Sequence, residues 1–203
     1  MNTQNKARSL RFLWLWWTLV SASGGAIVGA LEAGGFEFFA TLVLTGLVVG
    51  IAQWWVLRGY IQSAIWWVLV SALGWFVGIN LAIVSGGLFN ALIELLFSVG
   101  ELGEVFWLNV VKQPVILAVF GVAQWLVLRR HVQQAGSWVL ASAVGGLVQG
   151  VVSTMICAAA CQTMTVSVGE QIATAVTYAA GWAGYGAVTG IVLAWLLHSQ
   201  QEA

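Results

Sequence analysis

The chain has no aspartate, two histidines, two cysteines and only 7% charged residues among 203. Each shortage excludes something. A soluble domain is about one quarter charged, and with so few charges a water-facing surface cannot be built. Without Asp, and with no Glu in the middle of an apolar segment, no nucleophile–base pair can be drawn. There is no His-Glu-x-x-His and no glycine loop ahead of Gly-Lys-Ser/Thr, so no enzyme is expected. The few basic residues form no patch for nucleic acid. Cys157 and Cys161 have no histidine on their side of the chain, so a metal site lacks further ligands. An intrahelical disulfide at this spacing would be strained. Both are expected to be small buried residues among alanines.

What the chain does have is apolar length. It is 61% hydrophobic, with a mean hydropathy of +0.94. A transmembrane helix takes about 20 mostly apolar residues. Six such segments can be drawn, at roughly 12–31, 38–57, 64–85, 110–128, 137–160 and 171–197. Together they predict an all-α integral membrane bundle of six transmembrane helices in one domain, 1–203.

The charges are sorted by side. Lys6, Arg8 and Arg11 precede segment one, Arg58 follows segment two, and Arg129, Arg130 and His131 follow segment four. Six crossings put these, and the C-terminus, on one side. Glu32, Glu37, Glu94, Glu101, Glu104 and Glu170 fall on the other, with Lys112 and Glu202 as the exceptions. The positive-inside rule makes the basic side cytoplasmic, with both termini inside. Trp14, Trp16, Trp17, Trp54, Trp55, Trp66, Trp67, Trp125, Trp138 and Trp195 lie near the basic ends of their segments. They are expected to form an interfacial belt, rings in lipid and N–H groups toward water.

Thirty residues recur 71 positions later without a gap: Gly50 to Ile79 aligns with Gly121 to Gly150, sixteen positions being identical. Gly50-x-x-Gln53-Trp54-x-x-Leu57-Arg58 matches Gly121-x-x-Gln124-Trp125-x-x-Leu128-Arg129. A degraded third copy reads Gly190-x-x-Leu193-Ala194-Trp195. The odd segments match too, Trp17 to Gly24 with Trp67 to Gly74 and Trp138 to Gly145. This predicts three parallel helical hairpins, at roughly 12–57, 64–128 and 137–197, unlike the inverted repeats of many transporters. It also makes segment one part of the fold, despite its outline of a signal peptide. Between 86 and 109, Asn90, Glu94 and Ser98 share one helix face. An interfacial or re-entrant helix is expected near 88–98.

Gly-x-x-x-Gly occurs at Gly25/Gly29, Gly46/Gly50, Gly74/Gly78, Gly146/Gly150 and Gly186/Gly190. Small residues one turn apart let helix backbones meet. They serve packing inside the bundle or docking of another membrane protein, for which the faces around Gly74/Gly78 and Gly146/Gly150 are the leading candidates. Gln53 and Gln124 lie five residues inside their arginines, about 7.5 Å deeper. A helix–helix hydrogen bond, to Ser71 or Ser142 for example, is expected. A polar ring around a central path is the rival reading, left incomplete by Leu193. Arg58 and Arg129 suit the last helix carbonyls, lipid phosphates or a partner's carboxylate. His131 and His198 are expected as interfacial caps. Haem or chlorophyll could use them as axial ligands, but no cofactor is predicted.

The repeated Gly-x-x-Gln-Trp-x-x-Leu-Arg segments resemble those of a group of uncharacterised multi-pass membrane proteins of cyanobacteria and related bacteria. The resemblance covers most of the chain and implies the bacterial plasma membrane or the thylakoid membrane, but no activity. Three functions are open. The first is a non-catalytic accessory, assembly or scaffold subunit, held among membrane lipids and docked on another integral membrane protein. The second is a carrier or pore for a small uncharged or apolar solute. The third is a pigment- or cofactor-binding subunit of a photosynthetic or electron-transfer complex.

Overall fold

The computed structural model describes residues 3–36, 40–99, 102–160 and 167–202. Glu37, Glu101 and Cys161 lie outside them. The described residues are helical almost throughout. We number the α-helices α1 Thr3–Leu31, α2 Thr45–Leu57, α3 Ile65–Val84, α4 Gly86–Val99, α5 Glu104–Leu128, α6 Ser137–Ala160 and α7 Ser167–Glu202. A π-helical turn, Glu32–Phe36, prolongs α1, and another, Ala40–Leu44, leads into α2. The sequence favours helix because its long runs of Leu, Ala, Val and Trp carry few side chains that compete for backbone hydrogen bonds. In an apolar medium a helix also satisfies its own N–H and C=O groups.

Five helices are long and apolar enough to cross a membrane: Phe12–Phe36, Ile65–Val84, Glu104–Leu128, Ser137–Ala160 and Gly169–Gln200. Thr41–Leu57 and Gly86–Ser98 are apolar but shorter. Three elements outrun their expected bounds. α1 starts at Thr3, ahead of 12, α5 starts at Glu104, ahead of 110, and α7 covers 36 residues. α4 occupies the place expected of an interfacial or re-entrant helix. It turns Ile93 onto the bundle and leaves Asn90, Glu94 and Ser98 exposed.

The two turns 71 residues apart have the same hydrogen bonds. Arg58 N–H donates to the Trp54 carbonyl at 2.9 Å, as Arg129 does to Trp125 at 2.9 Å. Ile61 closes on Leu57 at 3.0 Å, as Val132 does on Leu128 at 2.9 Å. Ser63 and Gln134, equivalent positions, both take positive φ, at 58° and 56°. Ile61 and Val132 are both buried, so each turn tucks one apolar residue under the bundle end.

Helices pack as a ring in chain order: α1 on α2, α2 on α3, α3 on α5, α5 on α6, α6 on α7, and α7 back on α1. α4 packs mainly on α5. Glycine makes these contacts close. A β-carbon on Gly46 would lie 2.5 Å from Trp75 Cβ of α3, and one on Gly78 would lie 2.7 Å from the Ile116 carbonyl of α5. Gly50 meets Ser71, Gly74 meets Phe120 and Ala123, Gly146 meets Gln113 and Gly150 meets Asn109. The ring closes reciprocally. Gly25 and Gly29 of α1 seat Tyr178, Trp182 and Thr174, while Gly186 and Gly190 of α7 seat Thr18, Ser21 and Trp14. All ten glycines therefore face another helix of the same chain. This corrects the expectation of a free docking face at Gly74/Gly78 or Gly146/Gly150: the space beside those glycines is taken by α5.

Candidate functional site

The ring interior is layered, and α3 gives the scale. Trp67, Ser71, Trp75 and Ile79 repeat every four residues on its inner face, each step advancing about 6 Å. The first layer, nearest Arg58 and Arg129, is a triad of indoles. Trp17, Trp67 and Trp138 are fully buried. Their ring centroids are 5.5–5.9 Å apart and their planes cross at 68–81°. Edge-to-face contact sets the positive ring edge on the negative face, a favourable arrangement. Leu13, Leu57, Leu128 and Leu196 pack around it. These three tryptophans are thus not belt residues, which corrects the expectation for them. Trp14, Trp16, Trp55, Trp66 and Trp195 remain exposed on the outer surface. Arg58 covers the Trp55 ring at 3.7 Å, and Arg129 covers Trp125 at 4.9 Å.

The second layer is polar and satisfied. Trp67 donates its indole N–H to Gln53 Oε1 at 3.1 Å, and Trp138 to Gln124 Oε1 at 3.1 Å. Gln53 donates to Ser21 Oγ at 3.2 Å, while Gln124 donates to Ser71 Oγ at 2.9 Å and to Gln53 Oε1 at 3.2 Å. Trp17 donates to Thr189 Oγ1 at 3.0 Å, and Thr189 donates to the Tyr185 carbonyl at 2.8 Å. Ser142 pairs with the Tyr185 hydroxyl at 3.3 Å. Thr189 therefore stands where Gln53 and Gln124 stand in the other copies. Gly186 meets Ser21 as Gly50 meets Ser71 and Gly121 meets Ser142. The third copy reads Gly186-x-x-Thr189, one helical turn from the expected Gly190-x-x-Leu193. Leu193 belongs to the apolar layer beneath. The ring is complete, and its side chains fill its centre.

The third layer is aromatic: Trp75, Phe120, Trp182 and Tyr185 touch at centroid distances of 5.2–6.4 Å. Above it the interior opens. A cavity of about 960 Å³ is bounded by α3, α5, α6, α7 and the start of α2, with Trp75 and Trp182 at its floor. Ile79, Phe106, Val151 and Met155 give it apolar walls. Three helices each add a polar edge: Asn109 and Gln113 from α5, Gln149 and Ser153 from α6, and Thr177 and Tyr178 from α7. Residues four apart share a helix face, so Asn109/Gln113 and Gln149/Ser153 both look inward. Gly181, beside Ser153 and Gln149, lets α6 and α7 meet there. At the rim, Glu32 accepts hydrogen bonds from the Thr41 hydroxyl and the Tyr178 hydroxyl.

Unlike the indole and glutamine layers, this end of the bundle holds polar groups without partners. Five buried side-chain atoms have none: Trp107 Nε1, Gln113 Oε1, Gln149 Oε1, Thr177 Oγ1 and Trp182 Nε1. Four of the five belong to residues that line the cavity. A buried unpaired polar atom costs about 1–3 kcal/mol, so native proteins hold few without a reason. Among the described lining residues none is Asp, Glu, His, Lys or Arg.

The remaining sequence candidates do not converge. His131 and His198 are both exposed, on the turn after α5 and near the end of α7. Among the described residues no three His, Cys, Asp or Glu side chains could hold a metal ion. Cys157 is disulfide-bonded, a correction to the expected buried thiol. Its sulfur is oxidised, so it is neither a ligand nor a nucleophile there. Sequence reasoning missed the Trp triad, although Trp17, Trp67 and Trp138 each precede a serine by four residues in all three copies. It also missed Gln113 and Gln149, amides inside apolar runs. The chain matches no protein-family model, no curated protein and no solved structure.

Proposed function

We propose that this is a six-span integral membrane protein of three parallel hairpins that binds a small, largely apolar, uncharged molecule in its wide end, as a carrier or membrane receptor. The observation that carries the reading is the contrast along one axis. The polar side chains of the indole and glutamine layers are paired, whereas Gln113, Gln149, Thr177 and Trp182 around the cavity each keep a buried polar atom without a partner. A cavity of this size falls in the range of small-molecule sites, which are mostly apolar with a few placed polar groups. Polar residues inside membrane spans mark binding sites and pathways by default.

The basic end is read as cytoplasmic and the cavity as facing outward. The segregation of Arg58, Arg129 and Arg130 from Glu32, Glu104 and Glu170 supports this. So does the disulfide at Cys157, on the cavity side, since disulfides persist in oxidising compartments. The plasma membrane or the thylakoid membrane is the location that the repeat's resemblance implies. α4, with one apolar face on the bundle and its polar stripe exposed, suits the outer interface. The accessory-subunit reading drew on free glycine faces, and those glycines are engaged within the bundle.

Purification in mild detergent tests the proposal, followed by solvent extraction and mass spectrometry of what the protein retains. The parent should carry a neutral small molecule in near-stoichiometric amount, and Ile79→Trp, which fills the cavity from the inner face of α3, should lose it while remaining monodisperse and helical. Retention of the same molecule by Ile79→Trp would place it on the lipid-facing surface and overturn the reading. Flux into liposomes then separates a carrier from a receptor.

A further inference from the structure

The unpaired groups of the cavity specify the chemistry of its occupant. This inference rests on the cavity being a binding site, as proposed above. Three of the unpaired atoms are oxygens, closed off from the hollow as their side chains stand: Gln113 Oε1, Gln149 Oε1 and Thr177 Oγ1. Gln149 and Thr177 are more than nine-tenths buried. An amide oxygen is satisfied only by a donor. A ligand that merely accepts, such as an ester or a ketone, leaves both glutamine oxygens unpaired. The terminal amide torsion is soft, so each glutamine can turn toward an occupant without moving its helix. Trp182 cannot, because Trp75, Phe120 and Tyr185 hold its ring.

The three helices that carry these oxygens also place Asn109, Ser153 and Tyr178 on the same hollow. A hydroxyl both donates and accepts, and so it suits this mixed set better than a pure donor. Charge narrows the class further. A cationic donor would meet no opposite charge among the described lining residues. Glu32, behind Thr41 and Tyr178, already accepts from both. Ile79 of α3, with Phe106 and Met155 nearer the outer ends of α5 and α6, takes an apolar body.

We propose that the cavity recognises an uncharged amphiphile through at least two hydroxyl groups, which donate to Gln113 and Gln149 while the apolar part packs on α3 and the outer half of α5. A lipid with a glycerol-like or sugar-like head has this chemistry.

Three probes with one chain length separate the possibilities: monooleoylglycerol, methyl oleate and oleylamine. Each is titrated against the purified full-length protein in mild detergent, with tryptophan fluorescence and calorimetry as readouts. Monooleoylglycerol should bind at least tenfold more tightly than methyl oleate. In the near-isosteric double variant Gln113→Leu/Gln149→Leu that advantage should shrink about tenfold, in line with two membrane hydrogen bonds. The affinity of methyl oleate should stay unchanged there, which also reports that the cavity is intact. Equal binding of monooleoylglycerol and methyl oleate, blocked by Ile79→Trp, would overturn hydroxyl recognition while leaving the cavity reading in place. So would a double variant that keeps the full preference. Preferred binding of oleylamine would overturn the uncharged class. If no probe binds, or if Ile79→Trp changes nothing, the binding-site reading falls with it.

Discussion

Replacing Gln124 by leucine is the most direct probe of the polar layer that closes the bundle. Leucine nearly matches glutamine in volume, so the change removes hydrogen bonds and opens little space. Gln124 takes part in three, with Ser71, Gln53 and Trp138. Hydrogen bonds between membrane helices contribute on average about 0.6 and at most about 1.7 kcal/mol. Three of them give a loss of roughly 2–5 kcal/mol. The Trp138 N–H is then left unpaired inside the indole triad, which holds the estimate away from its lower bound. Gln53→Leu removes the same number of bonds, to Ser21, Trp67 and Gln124, and should cost as much. Thr189→Val breaks a single bond between helices, from Trp17, and should cost only about 0.6–1.7 kcal/mol. Denaturant titration in mixed micelles, followed by far-ultraviolet circular dichroism, measures all three. In a double-mutant cycle Gln124→Leu and Trp138→Phe should couple by about 0.5–3 kcal/mol. If Gln124→Leu lay within about 0.5 kcal/mol of the parent, or if Thr189→Val cost more than either glutamine, the layer would not hold the bundle as argued.

Other outcomes follow from the packing. Gly46→Leu and Gly78→Leu should destabilise the isolated monomer by at least about 1–3 kcal/mol through overfilling, whereas Gly87→Ala, where an added β-carbon meets nothing within 4 Å, should stay within about 0.5 kcal/mol; equal effects would mean that the interhelix contacts are looser than described. Single cysteines introduced at positions 60 and 133 should label from the side of the termini, and one at 102 from the opposite side; labelling of 60 and 133 from opposite sides would end the six-span reading. A fluorophore at Leu92, exposed on α4, should be quenched both by iodide and by lipids labelled near the headgroup if that helix lies in the interface. Quenching by mid-chain labels alone would instead make it re-entrant. Arg58→Ala should cost no more than about 0.5–1 kcal/mol, as an exposed cation–π contact does; chemical denaturation would expose a larger role.

The presence of the apolar helices, the two equivalent turns and the separation of basic from acidic ends were legible in the residues alone, though the helix ends were not. Those features depend on composition and local backbone chemistry, which neighbouring residues carry. The 71-residue repeat also marked Gln53 and Gln124 as equivalent before any contact was known. What the sequence could not sort was which apolar face meets lipid and which meets protein. Lipid and core are equally apolar, so the amphipathic stripe that orients a helix in water is nearly absent here. Trp16 and Trp17 are neighbours of one residue type, yet one is exposed and the other sits at the bundle axis. Only the ring closure of α7 on α1 decides between them. That same closure selects Thr189 over Leu193, because the helix register is fixed by which glycine seats Ser21. The cavity likewise belongs to no segment. Gln113, Gln149 and Thr177 lie far apart in the chain, and they face one hollow only once three helices have been brought side by side.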